Sequence, residues 1–409
     1  MKVAVIFHRL GPYHVARLSA AAEVCDTTAI ELAAVTNEYA WNRVGGAFKF
    51  HRLTVFPDRD SRKASSGDLV RRLEGVLEER PQDVVVIPGW SDRGVFAAMR
   101  WCLKRDVPLI VMSESTAWDE TRVWWKEWIK RRLAGLCSAA LVGGRAHADY
   151  MVQLGMPVGR VFLGYDVVDN RYFEDKAAEI RSQNSDVRKN YDLPENYFLA
   201  SARFVEKKNL ARLLRAYAEY RRQAERSEGS ADFRSPTSEM WSLVLLGDGP
   251  LKSDLCRLIS DLSLQGSVLL PGFKQYDDLP AYYGLASAFI HASTTEQWGL
   301  VVNEAMASGL PVLVSDRCGC ARDLVQEGRN GFVFDPCDVE ALAQLMLKIS
   351  VFQPFKLSAF GKASREIISG FDVNAFGDGL VQAVDVCLQQ PVACPGLLDR
   401  LLLQLLVLK

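Results

Sequence analysis

Short apolar runs alternate with helical patterns along the chain, and this alternation limits the fold more than any other feature of the sequence. The apolar runs predict strands in both halves, among them KVAVIF, DVVVIPG, PLIVMS, YFLASAR, SLVLLG, SAFIHAS and PVLVSD. Between them lie amphipathic helices such as NLARLLRAYAEY, in which Leu210, Leu213 and Leu214 follow the spacing of one helical face. Repeated strand–helix alternation is typical of parallel sheets covered by helices on both sides. The sequence therefore predicts an α/β fold built from Rossmann-like, doubly wound domains.

Length and composition narrow the class of protein. With 409 residues the chain is longer than one hydrophobic core usually supports, so two domains are expected. A formal net charge of −1 gives no global electrostatic argument for a nucleic-acid partner. Nine cysteines without a disulfide-like spacing suit a reducing compartment, and MKVAVIFHR resembles a buried first strand rather than a signal peptide. We therefore expect a cytoplasmic localisation.

A polar, charged stretch, NRYFEDKAAEIRSQNSDVRKNYDLPEN, separates the two halves, and we interpret it as an inter-domain linker. The resulting division is a first domain over residues 1–170, the linker over 171–195, a second domain over 196–375 and a helical tail over 376–409. Two doubly wound domains of this kind are expected to face a central cleft at the carboxyl ends of their strands, where such folds bind ligands. For the tail, which ends in LLDRLLLQLLVLK, packing back on the N-terminal domain is one interpretation and contact with a membrane is the other.

Two cations follow the first strand of the second domain, within ARFVEKKN. Arg203 comes directly after the strand, and Lys208 precedes Asn209, which we predict to cap a helix that begins near Leu210. Cations beside a helix N-terminus form a pocket for anions such as phosphate, because the free amides and the helix dipole add to their charges. A solvated face that carries the two cations is the alternative.

Two carboxylates lie eight positions apart in TTEQWGLVVNEAMASG. Glu296 follows the apolar run SAFIHAS, and Glu304 lies about one turn into the next helix. A carboxylate that is buried at such an apolar junction needs a partner or a ligand. A helix with one solvated acid and one acid stabilised by the dipole is the alternative.

Glycine turns follow two further strands. Gly247 and Gly249 in LLGDGPLKSDL make two thirds of a dinucleotide fingerprint, with Lys252 where the third glycine should be, and a turn without a ligand is the alternative. Gly11 follows the first strand, where a glycine lets the backbone approach a phosphate closely. His14 lies near the start of the next helix, where it either serves proton transfer near neutral pH or caps the helix.

Glu114 follows the run PLIVMS and precedes a tryptophan-rich, basic stretch, TRVWWKEWIKRRL. Interleaved aromatic and basic residues settle at a membrane interface, where anionic lipid attracts the cations. A helix that buries its tryptophans and solvates its basic residues is the alternative. No metal site is expected, since Cys318 and Cys320 have no matching pair nearby and Asp58 and Asp60 lie in a charged loop.

The ordered series ARFVEKKN, LLGDGPL, LLPGF, TTEQWGLVVNEAMASGLPVLVSD and NGFVFDP resembles the retaining glycosyltransferases of family 4, which have the GT-B fold. The Glu-x7-Glu pair formed by Glu296 and Glu304 is the best-known signature of that family. The first half is similar more loosely, through its opening strand and glycine and through AALVGGRAHADYMVQLGMPVGRVFLGYDVVDNRYF. The resemblance implies a GT-B fold, with an acceptor-binding first domain and a second domain that binds a nucleotide-sugar.

Carried over residue by residue, the resemblance implies a donor site in the second domain. Arg203 and Lys208 would hold the diphosphate of the nucleotide-sugar. Glu304 would bind the ribose hydroxyls, and Glu296 would contact the hydroxyls of the sugar. The remaining substrate contacts, from the amides at the helix start, the glycine turn and the chain that passes the base, would fall on Gly299, Leu300, Val301, Gly247, Gly272 and Phe273.

The resemblance also implies the type of reaction. An arginine and a lysine can stabilise a departing diphosphate without magnesium, so a retaining, metal-independent sugar transfer without a cofactor is expected. UDP-sugar is the favoured donor and GDP-sugar the alternative. The acceptor is expected to be a sugar or a lipid-linked glycan in polysaccharide or glycoconjugate synthesis. Peripheral contact with the inner face of a membrane would bring such an acceptor within reach.

Two departures from the family pattern limit this comparison. The family often has a histidine after the strand that here ends in SES, where this chain has Ser113 and Glu114. His14 is therefore a catalytic candidate, and Glu114 and Gly11 are candidates for contact with the sugar or the acceptor. The loop Cys318-Gly319-Cys320 replaces a paired glycine, and we expect it to be structural. A nucleotide-sugar epimerase on the same fold, or a dinucleotide-dependent oxidoreductase, remains the alternative function.

Overall fold

The computed structural model describes residues 1–36, 41–228 and 240–408, and these divide into two compact units. Met1–Asp169 and Phe371–Lys409 make up the first unit, and Asn170–Gly370 make up the second. Each unit has its own parallel sheet with helices packed against it. This confirms the predicted α/β fold with two Rossmann-like, doubly wound domains.

The first unit is built around seven parallel strands. They are β1 (Lys2–Phe7), β2 (Asp26–Ala33), β3 (His51–Phe56), β4 (Val84–Pro88), β5 (Leu109–Ser113), β6 (Ala139–Val142) and β7 (Val161–Leu163). Their order in the sheet is β3-β2-β1-β4-β5-β6-β7. The helices are α1 (Pro12–Val24), α2 (Ser66–Glu78), α3 (Arg93–Lys104), α4 (Trp124–Gly135), α5 (Arg145–Gln153), α15 (Val373–Leu388) and α16 (Leu397–Leu408).

The second unit is built around six parallel strands. They are β8 (Tyr197–Ser201), β9 (Ser242–Leu246), β10 (Val268–Gly272), β11 (Ala288–His291), β12 (Val312–Ser315) and β13 (Gly331–Phe334), in the order β10-β9-β8-β11-β12-β13. The helices are α6 (Asn170–Ser182), α7 (Asn184–Tyr191), α8 (Leu210–Glu228), α9 (Lys252–Asp261), α10 (Leu279–Leu285), α11 (Leu300–Ala307), α12 (Ala321–Leu324), α13 (Val339–Ser350) and α14 (Pro354–Ile368). Within the described ranges, no helix has both the length and the apolar character required to cross a bilayer.

Both faces of each sheet are covered, as the apolar strand sequences require. Along β1, Val3 and Val5 pack into the hydrophobic cluster on one face, while Ala4 and Ile6 pack into the cluster on the other. Because the strand interiors are buried, polar side chains that could meet a ligand lie mainly where the strands end.

The structure divides the chain differently from the predicted boundaries at two places. Residues 171–195, predicted as a linker, contain α6 and α7 of the second unit. Phe173 and Ala177, four residues apart on one face of α6, are fully buried, and this helix packs against α10. Residue 375, the predicted end of the second domain, lies inside α15, which packs against α1 of the first unit. The final helix, α16, packs against α3 of the same unit.

The chain returns to the first unit through α15, which makes a close backbone contact at Gly379. We expect this contact to leave no room for a side chain at Gly379. A Cβ atom there would lie 2.1 Å from the carbonyl oxygen of Leu163, whereas at Gly377 the nearest atom would be 3.4 Å away. We predict that Gly379→Ala destabilises the protein by about 1–3 kcal/mol through overpacking. Gly377→Ala on the same helix is the matched control, since it gains helix propensity without the clash. Urea denaturation followed by circular dichroism measures both, and equal midpoints for the two variants would contradict the prediction.

Candidate functional site

The loops that follow β8 and β11 meet at one edge of the second sheet. These strands are hydrogen-bonded neighbours, and the strand order reverses between them, since β9 lies on the other side of β8. In open α/β sheets such a reversal point forms the ligand crevice. The loop after β8 carries Arg203 and Lys208, and the segment after β11 carries Glu296.

Lys208 and Glu296 form an ion pair between these two loops. Both side chains are largely buried. The same carboxylate oxygen, Oε2, lies 3.3 Å from Nε2 of His291 and accepts a hydrogen bond of 3.3 Å from the Ser293 hydroxyl. The structure therefore brings together two predicted residues and two that the sequence analysis missed.

The surroundings of Glu296 keep it ionised. Burial by itself raises the pKa of Glu296, but the hydrogen bond with His291 and the charge of Lys208 outweigh burial and hold the pKa well below its usual value of 4.5. Burial lowers the pKa of His291, and Glu296 offsets this only in part. The neutral imidazole therefore presents its Nε2–H to the carboxylate, and Glu296 remains a charged acceptor held in place by three donors.

Backbone packing holds the loop that carries Arg203. Ala202 N donates to Leu246 O (2.9 Å) and Phe204 N donates to Asp248 O (2.8 Å). A Cβ atom at Gly247 would lie 1.8 Å from Ala202 O, and both Gly247 and Gly249 have positive φ, 131° and 156°. The glycine turn is thus required by the close approach of the neighbouring loop. It leaves the Arg203 side chain exposed beyond the end of β8.

Asn209 anchors the same loop next to Lys208. Its side-chain amide donates to Ala292 O (3.0 Å) and to Pro336 O (2.8 Å), and its backbone is left-handed with φ 58°. The amide thus ties the loop to the chain beyond β11 and β13. The predicted capping of α8 by this side chain is wrong, because the two buried carbonyls engage its amide and Arg212 engages its oxygen at 3.0 Å.

Backbone hydrogen bonds with the loop 317–320 hold the segment from Glu296 to the start of α11. Glu296 N donates to Arg317 O (3.1 Å), Gly319 N donates to Glu296 O (3.1 Å) and Cys320 N donates to Trp298 O (3.2 Å). Both cysteines of this loop, Cys318 and Cys320, are buried, and burial raises the pKa of each thiol. The contacts are structural, as the sequence analysis expected.

Gly299 starts α11 with a φ of 108°, which side chains rarely adopt. The turn places the first-turn amides of Leu300 and Val301, which a helix leaves without intrahelical acceptors, directly after the Glu296 loop. A Cβ atom at Gly299 would lie 3.5 Å from both the His291 ring and the Glu296 side chain. Free amides, an ionised carboxylate and a lysine therefore lie close together.

Glu304 is more deeply buried than expected for a residue that binds the ribose hydroxyls. It lies within α11 and is 1% exposed. Burial of the neighbouring Tyr283, and then the Glu304 carboxylate beside it, raise the pKa of the Tyr283 hydroxyl. Gly272, with φ 84°, ends β10 and accepts a hydrogen bond of 3.1 Å from Gly247 N through its carbonyl oxygen. Phe273 follows it and is partly exposed. These residues share the carboxyl edge of the second sheet.

The first unit holds the other predicted residues, and His14 is not placed for proton transfer there. Its Nδ1 accepts a hydrogen bond of 3.0 Å from Gly11 N, so it caps the start of α1. Burial, aided by the charge of Arg17, lowers the pKa of His14 to about 3. General acid–base catalysis needs a pKa near the working pH. The capping alternative for His14 is therefore the one that the structure supports.

Glu114, which is half-buried, lies next to a fully buried acid that the sequence analysis missed. That acid is Asp166, which follows β7 and whose Oδ1 lies 4.0 Å from Nη2 of Arg17. Burial, and then the neighbouring Glu114, raise the pKa of Asp166 well above its ordinary value, against the opposing effect of Arg17. Asp166 is therefore protonated more readily than an ordinary aspartate. Gly143 leaves room for its side chain, since a Cβ atom there would lie 2.2 Å from Asp166 Oδ2.

A second missed cluster lies where the order of the first sheet reverses, between β1 and β4. His8 Nδ1 lies 3.1 Å from Asp92 Oδ2, and His8 Nε2 lies 3.6 Å from Asp60 Oδ1. Each of these side chains follows a strand, which is the signal that would have found them. Across the described part of the chain, no group of three or more histidine, cysteine, aspartate or glutamate side chains is arranged to hold a metal ion.

Comparison with protein families gives matches over most of the chain. Residues 182–365 match the model of the glycosyl transferases group 1, and residues 13–164 match that of the glycosyl transferase 4-like domain. Among curated proteins, sulfoquinovosyl transferase SQD2 of Arabidopsis thaliana is 37% identical over 136 residues, covering 32% of this chain and 26% of that protein. The lipopolysaccharide core biosynthesis glycosyltransferase LpsE of Rhizobium meliloti (strain 1021) is 27% identical over 184 residues, covering 45% and 48%. The chain thus spans less than half the length of these relatives.

Solved structures match the chain along nearly its whole length. Anabaena HepE in complex with UDP superposes with a TM-score of 0.68 at 17% identity, covering 94% of this chain and 100% of that one. Sucrose-phosphate synthase of Thermosynechococcus elongatus superposes with a TM-score of 0.69 at 17% identity, covering 93% and 97%. At this level of identity the similarity establishes the fold alone, which is GT-B.

The depressed pKa of Glu296 predicts a pH-dependent contribution to stability. A group whose pKa is lowered by folding stabilises the protein above its unfolded pKa and loses that contribution as the pH falls. We predict that Glu296→Gln lowers the free energy of unfolding by about 1–3 kcal/mol at neutral pH. The difference from the wild type should shrink progressively below the ordinary pKa of 4.5. Glu206→Gln, at an exposed acid of the adjacent loop, is the control. A difference for Glu296→Gln that is the same at pH values above and below 4.5 would count against the assignment.

Proposed function

Because the chain belongs to the glycosyl transferases group 1, we propose that it moves a sugar from a nucleotide-sugar donor to a sugar or lipid-linked glycan acceptor. The observation that carries this proposal is the constellation at the reversal point of the second sheet. There, Lys208 and Glu296 pair across two loops, beside the exposed Arg203 and the first-turn amides of α11. Such a set combines cationic groups for a diphosphate with a fixed acceptor for hydroxyl groups.

Charge development during the reaction explains why these groups serve together. As the anomeric bond breaks, negative charge grows on the departing diphosphate and positive charge grows on the sugar. Arg203, Lys208 and the amides of Leu300 and Val301 stabilise the departing diphosphate more as its charge increases, which lowers the barrier. Glu296, kept ionised and oriented by His291, accepts hydrogen bonds from the sugar hydroxyls. Attack from the face of departure gives retention and requires no protein nucleophile.

The ion pair also explains how the buried charges of the donor site are balanced before the substrate binds. Glu296 balances the charge of Lys208, so neither charge is buried without a partner. The diphosphate brings its own negative charge to Lys208 and thereby replaces part of this pairing. The released carboxylate oxygen then accepts a hydrogen bond from the sugar. Binding of the donor and alignment of Glu296 are coupled in this proposal.

The remaining predicted donor contacts are proposed with narrower roles. Glu304 binds the ribose hydroxyls. Because Glu304 is buried within α11, the ribose must reach into the site as far as this side chain. Gly272 and Phe273 pass the base, and Gly247 keeps the turn beside them open. UDP is the favoured nucleotide, because the similar HepE structures hold UDP and UDP-glucose. GDP remains the alternative.

The acceptor is proposed to bind the first unit. Glu114, which lies beside the buried Asp166, accepts a hydrogen bond from an acceptor or sugar hydroxyl there. Gly11, whose amide is held by His14, shapes the loop after β1. A lipid-linked acceptor would bring the protein to the inner face of a membrane as a peripheral protein.

Substitution of the cationic groups tests the donor site. We predict that Arg203→Ala and Lys208→Ala each lower the rate of donor consumption by about 100- to 1,000-fold, because each removes charge stabilisation that grows in the transition state. Lys207→Ala removes an adjacent, exposed lysine and should retain wild-type turnover. Release of nucleoside diphosphate in a coupled assay measures all three, with circular dichroism as the check on folding. Wild-type turnover by Arg203→Ala would contradict the phosphate role.

Nucleotide binding and metal dependence separate this function from its alternatives. We predict that UDP, or GDP in its place, raises the melting temperature of the protein, while NAD does not. Dialysis against EDTA should leave turnover unchanged, because Arg203 and Lys208 supply the positive charge that a magnesium ion gives in other transferases. Stabilisation by NAD alone would favour the oxidoreductase. Loss of activity in EDTA that added Mg²⁺ restores would disprove the metal-independent mechanism.

A further inference from the structure

Helix α4 presents an aromatic and cationic face to solvent. Trp124, Trp128 and Arg131 follow the i, i+4, i+7 spacing of one helical face, and all three are exposed, with Trp124 at 81%. Trp125 and Lys126 are exposed beside them. The predicted alternative in which this helix buries its tryptophans is therefore wrong. Its buried side consists of Lys130, Leu133 and Ala134.

The exposed charges on α4 have one sign. Lys126 and Arg131 are exposed, while the acidic residue of the helix, Glu127, is engaged on the inner side. Its carboxylate accepts a hydrogen bond of 2.7 Å from Tyr150 and lies 3.4 Å from the Lys130 ammonium. An anionic surface would therefore meet cations without opposing charge from this helix.

Helix α16 presents a leucine face to solvent next to α4. Leu398, Leu401, Leu405 and Leu408 recur at intervals of three and four residues, and each is at least half exposed. Leu403 and Val407 on the opposite side are buried, in the same hydrophobic cluster as Leu133 of α4. The helix therefore packs back on the first unit, as one prediction had it, and still leaves an apolar stripe uncovered.

An ion pair joins the two helices. Nε of Arg132 lies 2.8 Å from Asp399 Oδ1, and the same guanidinium lies over the ring of Trp128, 5.2 Å from its centroid. The tryptophan face and the leucine stripe are thus neighbouring parts of one surface, which we call the α4–α16 face. Monomeric soluble proteins rarely expose large contiguous apolar patches without a partner.

We propose that the α4–α16 face docks the first unit on an anionic lipid bilayer. The leucines would enter the boundary between headgroups and acyl chains, the tryptophans would lie at the interface, and Lys126 and Arg131 would meet anionic headgroups. Lys126 and Arg131 favour an anionic bilayer over a second copy of the chain, because two copies would bring these like charges together. The inference rests on the peripheral membrane contact in the proposed function and names the surface that makes it.

Vesicle co-sedimentation tests the docking surface, with no donor present. The full chain should sediment with phosphatidylcholine vesicles that contain phosphatidylglycerol and much less with phosphatidylcholine alone. Leu401→Ser/Leu405→Ser and Trp124→Ser/Trp128→Ser should each weaken partitioning about tenfold or more. Lys126→Ala/Arg131→Ala should remove the preference for anionic vesicles. Val351→Ser/Phe355→Ser, at two exposed apolar residues of the second unit, is the matched control and should bind as the wild type does.

Three results would overturn the proposal. The wild type could remain in the supernatant with anionic vesicles, or the leucine and tryptophan variants could sediment as it does. Light scattering could instead show a dimer that the leucine variant converts to monomer, which would assign the face to a second copy. UDP-induced stabilisation, measured on the same variants, should be unchanged. Failure at the membrane can therefore be told apart from failure of the donor site.

Discussion

Burial of the strands on both faces is the constraint on which the rest of this structure depends. With helices packed on each side of both sheets, the strand interiors are mainly apolar, and most polar groups lie where a strand ends. The buried Glu31 of β2, which is paired with Arg52 of β3, is an exception. The positions of the residues that could bind or react with a ligand follow from this rule. Lys208, Glu296, Glu114 and Asp166 all come after a strand, at the carboxyl edge of their own sheet. The hydrophobic effect thus selects the positions, and electrostatics determines what happens there.

The sequence was sufficient for the architecture because strand and helix periodicities are local. It was also sufficient to select Lys208 and Glu296, since their positions after strands and their spacing could be read directly. It did not show that they pair with each other, because the loops that carry them are 88 positions apart and meet only through the parallel pairing of β8 with β11. For the same reason it missed His291, which looks like part of an apolar strand.

The differences between the sequence interpretation and the structure have physical causes of the same kind. The charged stretch 171–195 was interpreted as a linker because its net polarity hides the narrow apolar face of α6. Gly247 and Gly249 resemble a phosphate-binding turn, but a backbone packed against the turn requires glycine just as strictly as a ligand would. His14 looks like a proton carrier in the sequence, yet the cost of charging a buried imidazole keeps it neutral. For α6 and for the glycine turn, the deciding neighbour is distant in the chain.

The path of the chain between the two units has a consequence of its own. It leaves the first unit at Asp169 and returns at Phe371, so the second unit is a continuous insertion and the first is assembled from two separate stretches. A protease that cuts one of these junctions would leave the units covalently joined through the other. The second unit can be excised as a single uninterrupted peptide, whereas the first becomes one chain only if residues 169 and 371 are connected anew. During synthesis on the ribosome, the first unit must also wait for the second to emerge before α15 can complete its core.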